Sequence, residues 1–104
     1  MKLLAHITLV ICLIPLTFFA QRQKKITTKG DQCFQNYDFL GASFYYRKAL
    51  EIDSTSPDLL NKYANSLRLQ HDYIPAIRYY KKVYQMDRGK NHKEAVYYLG
   101  DLYK

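Results

Sequence analysis

The stretch Asp38-Phe39-Leu40-Gly41-Ala42-Ser43-Phe44-Tyr45-Tyr46-Arg47-Lys48-Ala49 recurs, 34 residues on and without a gap, as Asp72-Tyr73-Ile74-Pro75-Ala76-Ile77-Arg78-Tyr79-Tyr80-Lys81-Lys82-Val83. Asp38 matches Asp72, Ala42 matches Ala76, Tyr45-Tyr46 matches Tyr79-Tyr80, and further on Asp53 matches Asp87. Chance supplies a few such matches, but not this many at one ungapped offset. A period of this size marks a stacked repeat, in which each unit buries its apolar face against the next.

Each unit reads as two helices. In the second half, Ala42, Tyr46, Ala49 and Leu50 recur at the three-and-four spacing that lines one helical face; Ala76, Tyr80, Val83 and Tyr84 do so one period later. The alanines let a neighbouring helix approach closely, and the tyrosines fill the space beside them. Ser54-Thr55-Ser56-Pro57-Asp58 ends one helix and opens another. Ser56 can cap, Pro57 suits the first turn, and Asp58 sets negative charge at the positive end of the helix dipole. Asp72 has a similar place before the next helix, whose first turn tolerates Pro75. The punctuation predicts an all-α chain with helices near 23–36, 39–53, 57–70, 73–87 and 92–104. No segment alternates at period two for long enough to be a strand.

These residues resemble the tetratricopeptide repeat, a helix–turn–helix unit of about 34 residues. The specific stretches are Asp38-Phe39 with Ala42, Tyr46 and Lys48-Ala49-Leu50-Glu51-Ile52-Asp53, and Glu94-Ala95-Val96-Tyr97-Tyr98-Leu99-Gly100-Asp101-Leu102-Tyr103. The resemblance covers residues 24 to 104. It implies a right-handed superhelix of antiparallel helix pairs, about two and a half repeats, with units near 23–56, 57–90 and 93–104, the last incomplete. Leu99-Gly100 and Tyr103 correspond to first-helix core positions held by Tyr63-Ala64 and Leu67 one unit earlier, and by Lys29-Gly30 and Cys33 in the first. Lys29 at such a position makes the first helix the expected weakest. Ser54 and Arg88 stand where the family usually has proline. Arg88-Gly89-Lys90-Asn91-His92 carries two extra residues, since Leu99 comes 36 residues after Tyr63, and this loop is the expected site of local flexibility.

In the family the concave surface, lined mainly by the first helix of each unit, binds extended peptides or partner helices. The resemblance places Thr27, Asp31 and Phe34 there from the first unit, Asn61, Asn65 and Arg68 from the second, and Tyr97, Asp101 and Lys104 from the third. Asn65 and Arg68 lie close to one helical turn apart and could hydrogen-bond a peptide backbone or carboxylate. The chaperone-binding subgroup clamps a terminal carboxylate with basic residues and asparagine. Thr27 and Asp31 at those positions argue against it, because Asp31 repels the anion. Tyr46, Tyr80, Tyr63 and Tyr103 read as core, whereas Tyr45, Tyr79 and Tyr98 are freer for the surface.

Composition narrows the classes further. The chain of 104 residues carries a net charge of +7, eleven tyrosines and no tryptophan. Its basic residues are scattered among nine acids, a solvated surface with a positive bias, so nucleic acid is not an expected partner. No cofactor, metal site or enzyme activity is expected. His71 and His92 lie in turns without a second ligand at metal spacing, and the glycines at 30, 41, 89 and 100 are isolated. Met1-Lys2, the apolar run from Leu3 to Phe19 and Ala20 make the pattern of a signal peptide over 1–20, cleaved before Gln21. Phe18 three residues before the cut, and Arg22, Lys24 and Lys25 after it, keep open an uncleaved anchor. The mature chain would retain one cysteine, Cys33, on a buried helix face.

An apolar face at Leu99, Leu102 and Tyr103 would want covering, either by more of a longer polypeptide or by a second copy. An exported array of this kind looks like the front of envelope proteins of the Bacteroidetes, some of which continue into an outer-membrane-protein-A-like domain that grips peptidoglycan. The expected function is a non-catalytic protein-interaction scaffold of the periplasm or outer membrane of a Gram-negative bacterium, binding a protein or peptide. The alternative is a structural module that positions a cell-wall-binding domain further along the chain.

Overall fold

Five helices follow one another: α1 Lys2–Gln35, α2 Phe39–Ile52, α3 Pro57–Leu69, α4 Tyr73–Asp87 and α5 Lys93–Leu102. The computed structural model describes the backbone from Lys2 and the side chains from Leu16 to Lys104. The chain is all-α, with no strand among the described residues. Helices α2 to α5 keep close to the expected bounds. Helix α1 does not: it begins far upstream of residue 23, because nothing between Leu16 and Lys29 is a glycine or a proline that would stop it. The expected signal peptide over 1–20 lies largely outside the described residues. Among the described residues, no helix is long and apolar enough to cross a membrane.

Each helix packs on its sequence neighbour, and the 34-residue period extends to single hydrogen bonds. Tyr37 and His71, one period apart, both adopt left-handed backbone, with φ of 61° and 64°. The Asp38 N–H donates to the Cys33 carbonyl and the Asp72 N–H to the Leu67 carbonyl, each at 2.9 Å. This is the Schellman closure of a helix end, made here without the usual glycine. The following caps differ. Asp38 accepts from the Gly41 N–H at 2.9 Å, whereas Asp72 makes no capping bond despite the matching letter. Ser56 caps α3 through the Leu59 N–H, as its sequence predicts.

Two apolar clusters form the core. One joins Ala42, Tyr46 and Ala49 of α2 to Leu59 of α3, with Ile26 and Cys33 of α1 beside them. The other joins Leu60, Ala64 and Leu67 of α3 to Ala76, Tyr80 and Val83 of α4, and to Ala95 of α5. Three expectations change here. Tyr84 is exposed, because the buried stripe of α4 ends at Val83. Tyr103 is exposed as well, while Leu99 and Leu102, expected to be open, pack against the second cluster. Ala95, Leu99 and Leu102 thus lie on the side of α5 turned to the second cluster.

Gly30 shows how tightly α1 and α2 meet. A Cβ there would lie 2.7 Å from the Tyr46 ring, which is itself buried. Gly30→Val is therefore expected to lower stability by about 1–3 kcal/mol through overpacking. Urea unfolding followed by circular dichroism measures it, and an unchanged midpoint would show that α1 yields freely.

The loop after α4, with its two extra residues, is bridged by side-chain contacts. Arg88 and Gly89 turn the chain in left-handed conformations, with φ of 56° and 81°. His92, nearly buried, then directs Nδ1 at the Asp87 carboxylate and Nε2 at Asp58 Oδ1, the latter at 2.5 Å. The insertion thus ends in a histidine that ties α3, α4 and α5 together.

Candidate interaction groove

The first helix of each pair contributes to one surface, and its side chains are spaced by the repeat. On α1, Asp31 Oδ1 accepts from the Tyr46 hydroxyl at 2.6 Å, and the Lys62 ammonium of α3 sits 3.0 Å from its other oxygen. One period later, Asn65 Oδ1 accepts from the Tyr80 hydroxyl at 2.5 Å. The same hydroxyl accepts from Arg68 Nε at 3.0 Å. Burial pushes the Tyr80 hydroxyl up to about 12, with Arg68 opposing it, so the proton that Asn65 receives stays in place near neutrality. Tyr46 is raised further still, first by burial and then by its bond to Asp31.

The α5 helix closes the second half of the surface. The Tyr98 ring stacks on Tyr80 at 6.0 Å, and the Arg68 guanidinium lies 3.7 Å above Tyr98. A planar cation over an aromatic face is attracted by the ring quadrupole, and the flat contact fixes its orientation. Asn61, only 4% exposed, donates from Nδ2 to Glu94 Oε1 at 2.7 Å. Its own carbonyl oxygen is buried without a hydrogen-bond partner among the described residues.

Two depressions follow from this framework. Asp31, Phe34, Gln35, Tyr46, Lys62 and Asn65 line one of about 340 Å³. Arg68, His71, Tyr73, Tyr98, Asp101 and Leu102 share the lining of another of about 440 Å³. The expected residues divide accordingly. Phe34, packed edge-on against Phe39 at 5.2 Å, falls in the first with Asn65. Arg68 and Asp101 fall in the second, where Asp101 lies 3.6 Å from Lys104. Tyr97 is exposed and meets Tyr98 edge-on at 5.2 Å, lining neither, and Asn61 is occupied with Glu94. Thr27 bonds the Gln23 carbonyl on its own helix.

Reading the letters missed Lys62 and Glu94, and took Tyr98 only as freer for the surface. The Glu94 and Tyr98 positions are one turn apart on α5, and that spacing was available in the sequence. Nothing in it announced that Lys62 would reach back to Asp31.

Both ring nitrogens of His92 face carboxylates, which leaves no lone pair for a metal or a proton acceptor. Among the described residues, no group of three or more His, Cys, Asp or Glu could hold a metal ion. What the geometry defines is a helical-hairpin array with a polar, aromatic-walled groove. No protein-family model matches the sequence, and no curated protein matches it.

Proposed function

We propose that this chain is a non-catalytic protein-interaction scaffold of the tetratricopeptide type, exported to the envelope of a Gram-negative bacterium. It binds a peptide or partner helix along the groove of α1, α3 and α5. The observation that carries this reading is the setting of Arg68. Tyr80 holds its Nε and Tyr98 supports its plane, and among the described residues the guanidinium makes no hydrogen bond beyond Nε. A cation fixed in this way, beside Asn65 and above an aromatic wall, suits a carboxylate or backbone carbonyl of an incoming chain. The 34-residue register and the Schellman-closed hairpins support the tetratricopeptide assignment.

Panning a displayed random-peptide library against the full chain tests it. Binders are expected that lose about tenfold or more in affinity, about 1.4 kcal/mol, to Arg68→Gln. Binders indifferent to both Arg68→Gln and Asn65→Ala would remove the groove from the proposal.

A further inference from the structure

The basic residues are scattered along the sequence, but the fold sorts them. Arg47-Lys48 of α2 recur one period later as Lys81-Lys82 of α4, and all are exposed. Arg78, also exposed, stands one turn before Lys81 and Lys82, at the register of Phe44. Equal register in a stacked repeat turns both stripes to the same side. They belong to the second helix of each pair, whereas the groove that holds Arg68 belongs to the first.

Few acids answer them. Among the described residues, none of these cations forms an ion pair with a carboxylate. Asp31 is engaged by Lys62, Asp58 and Asp87 by His92, and Glu94 by Asn61. Only Glu51 shares the stripe, while Asp38 and Asp72 stand at the positive ends of α2 and α4, where the helix dipole offsets their charge. The cations rest on rings instead. Arg47 and Lys48 lie 6.0 and 5.4 Å from the centre of Phe44, and Lys82 lies 4.8 Å from that of Tyr79. A ring steadies a cation and leaves its N–H donors free. Apolar side chains stand open on the same stripes, Leu40 at 72%, Phe44 at 45% and Ile74 at 77%.

We propose that the outer face of α2 and α4 docks on an anionic lipid bilayer. Its cations reach the headgroup phosphates, while Leu40, Phe44 and Ile74 enter the layer just beneath them. The mixture of charge and open apolar side chains favours this occupant. A nucleic acid would stack its bases on free rings, but cations already lie over Phe44 and Tyr79. A packed polypeptide, of this chain or another, would bury ammonium groups that have no carboxylate partner, at an uncompensated desolvation cost. A headgroup layer is wet and charged, so it takes them without that cost. The face is separate from the groove, so its failure would leave the peptide-binding reading standing.

The probe is a phosphatidylcholine nanodisc, with or without phosphatidylglycerol, added to the full chain. NMR reads the Leu40 and Ile74 methyl groups against a soluble paramagnetic agent. These signals report on this face alone, whether or not the apolar run before Ala20 enters the disc. The methyls are expected to become protected by the phosphatidylglycerol disc and to stay open with the neutral one. Replacing three cations of the face together, Lys48→Gln, Lys81→Gln and Lys82→Gln, should weaken docking about a hundredfold and abolish the protection. A charge-matched control off the stripes, Lys90→Gln, Lys93→Gln and Lys104→Gln, should keep it. All six positions are exposed and glutamine suits a helix, so both variants stay folded, which circular dichroism confirms. Open methyls with both discs, equal protection by both, or equal loss in the two variants overturns the proposal. Protection by soluble polyphosphate or a single-stranded oligonucleotide matching that of the anionic disc overturns it too, by giving the face to a soluble polyanion.

Discussion

Tyr80→Ala is expected to cost about 3–5 kcal/mol, a large part of the roughly 5–15 kcal/mol that holds a small domain together. Tyr80 is fully buried where α3, α4 and α5 meet. Its ring stacks on Tyr98, and its hydroxyl joins Asn65 to Arg68. Alanine removes the ring from a fully buried place in the cluster, so the cavity can collapse only in part. It also leaves Asn65 without its donor and Arg68 Nε without its acceptor. Tyr80→Phe separates the two contributions, keeping the ring and removing the hydroxyl at a cost of about 1–2 kcal/mol. Urea unfolding of both variants, followed by circular dichroism, measures the difference. An alanine variant within about 1 kcal/mol of the native chain would mean that the array does not depend on this contact.

Tyr80 also shows how far the letters could be read. Its match to Tyr46 at the repeat offset, and its place in an alanine-rich stripe, are local regularities. Periodicity captures these because each repeat buries the same face. The partner of its hydroxyl is a different kind of fact. Asp31 was expected on a ligand-facing surface, and its carboxylate is engaged by Tyr46 and Lys62. A phenol reaches past the ring that periodicity reports, so whether a polar neighbour is free depends on how closely two helices approach. Gly30 sets that approach, and its meaning emerges only with Tyr46 against it. The caps teach the same lesson in reverse: Asp38 and Asp72 are the same letter in the same place, and only one makes the bond. For the loop after α4, chain length argued for looseness and gave no hint of the contact that spans 34 residues to Asp58.

That contact should make stability depend on pH in a defined window. Burial pushes the His92 imidazole down, but the carboxylates of Asp87 and Asp58 outweigh it and hold the group above its ordinary 6.5. The bond from His92 holds Asp87 below its ordinary 3.8. A raised histidine contributes fully below its unfolded value and loses its contribution as pH rises through the folded one. A lowered carboxylate contributes above its unfolded value and loses it as pH falls. The clamp is therefore complete between 3.8 and 6.5 and weakens on both sides. On the alkaline side the neutral ring keeps one N–H for two carboxylates. Asp58, largely exposed, is the one released to water, whereas Asp87 is enclosed, so α3 loses its hold on the start of α5 while the α4 side persists. The other acid at this joint, Glu94, is held by Asn61. His92→Leu is expected to lower stability by about 2–3 kcal/mol at pH 6, the worth of bonds to a charged group, with a smaller deficit at pH 9. Chemical denaturation across this range measures both limbs, and the His92 ring proton shift in NMR follows the titration itself. Parallel pH profiles for the native chain and His92→Leu above pH 6 would show that the histidine does not act as a charged clamp.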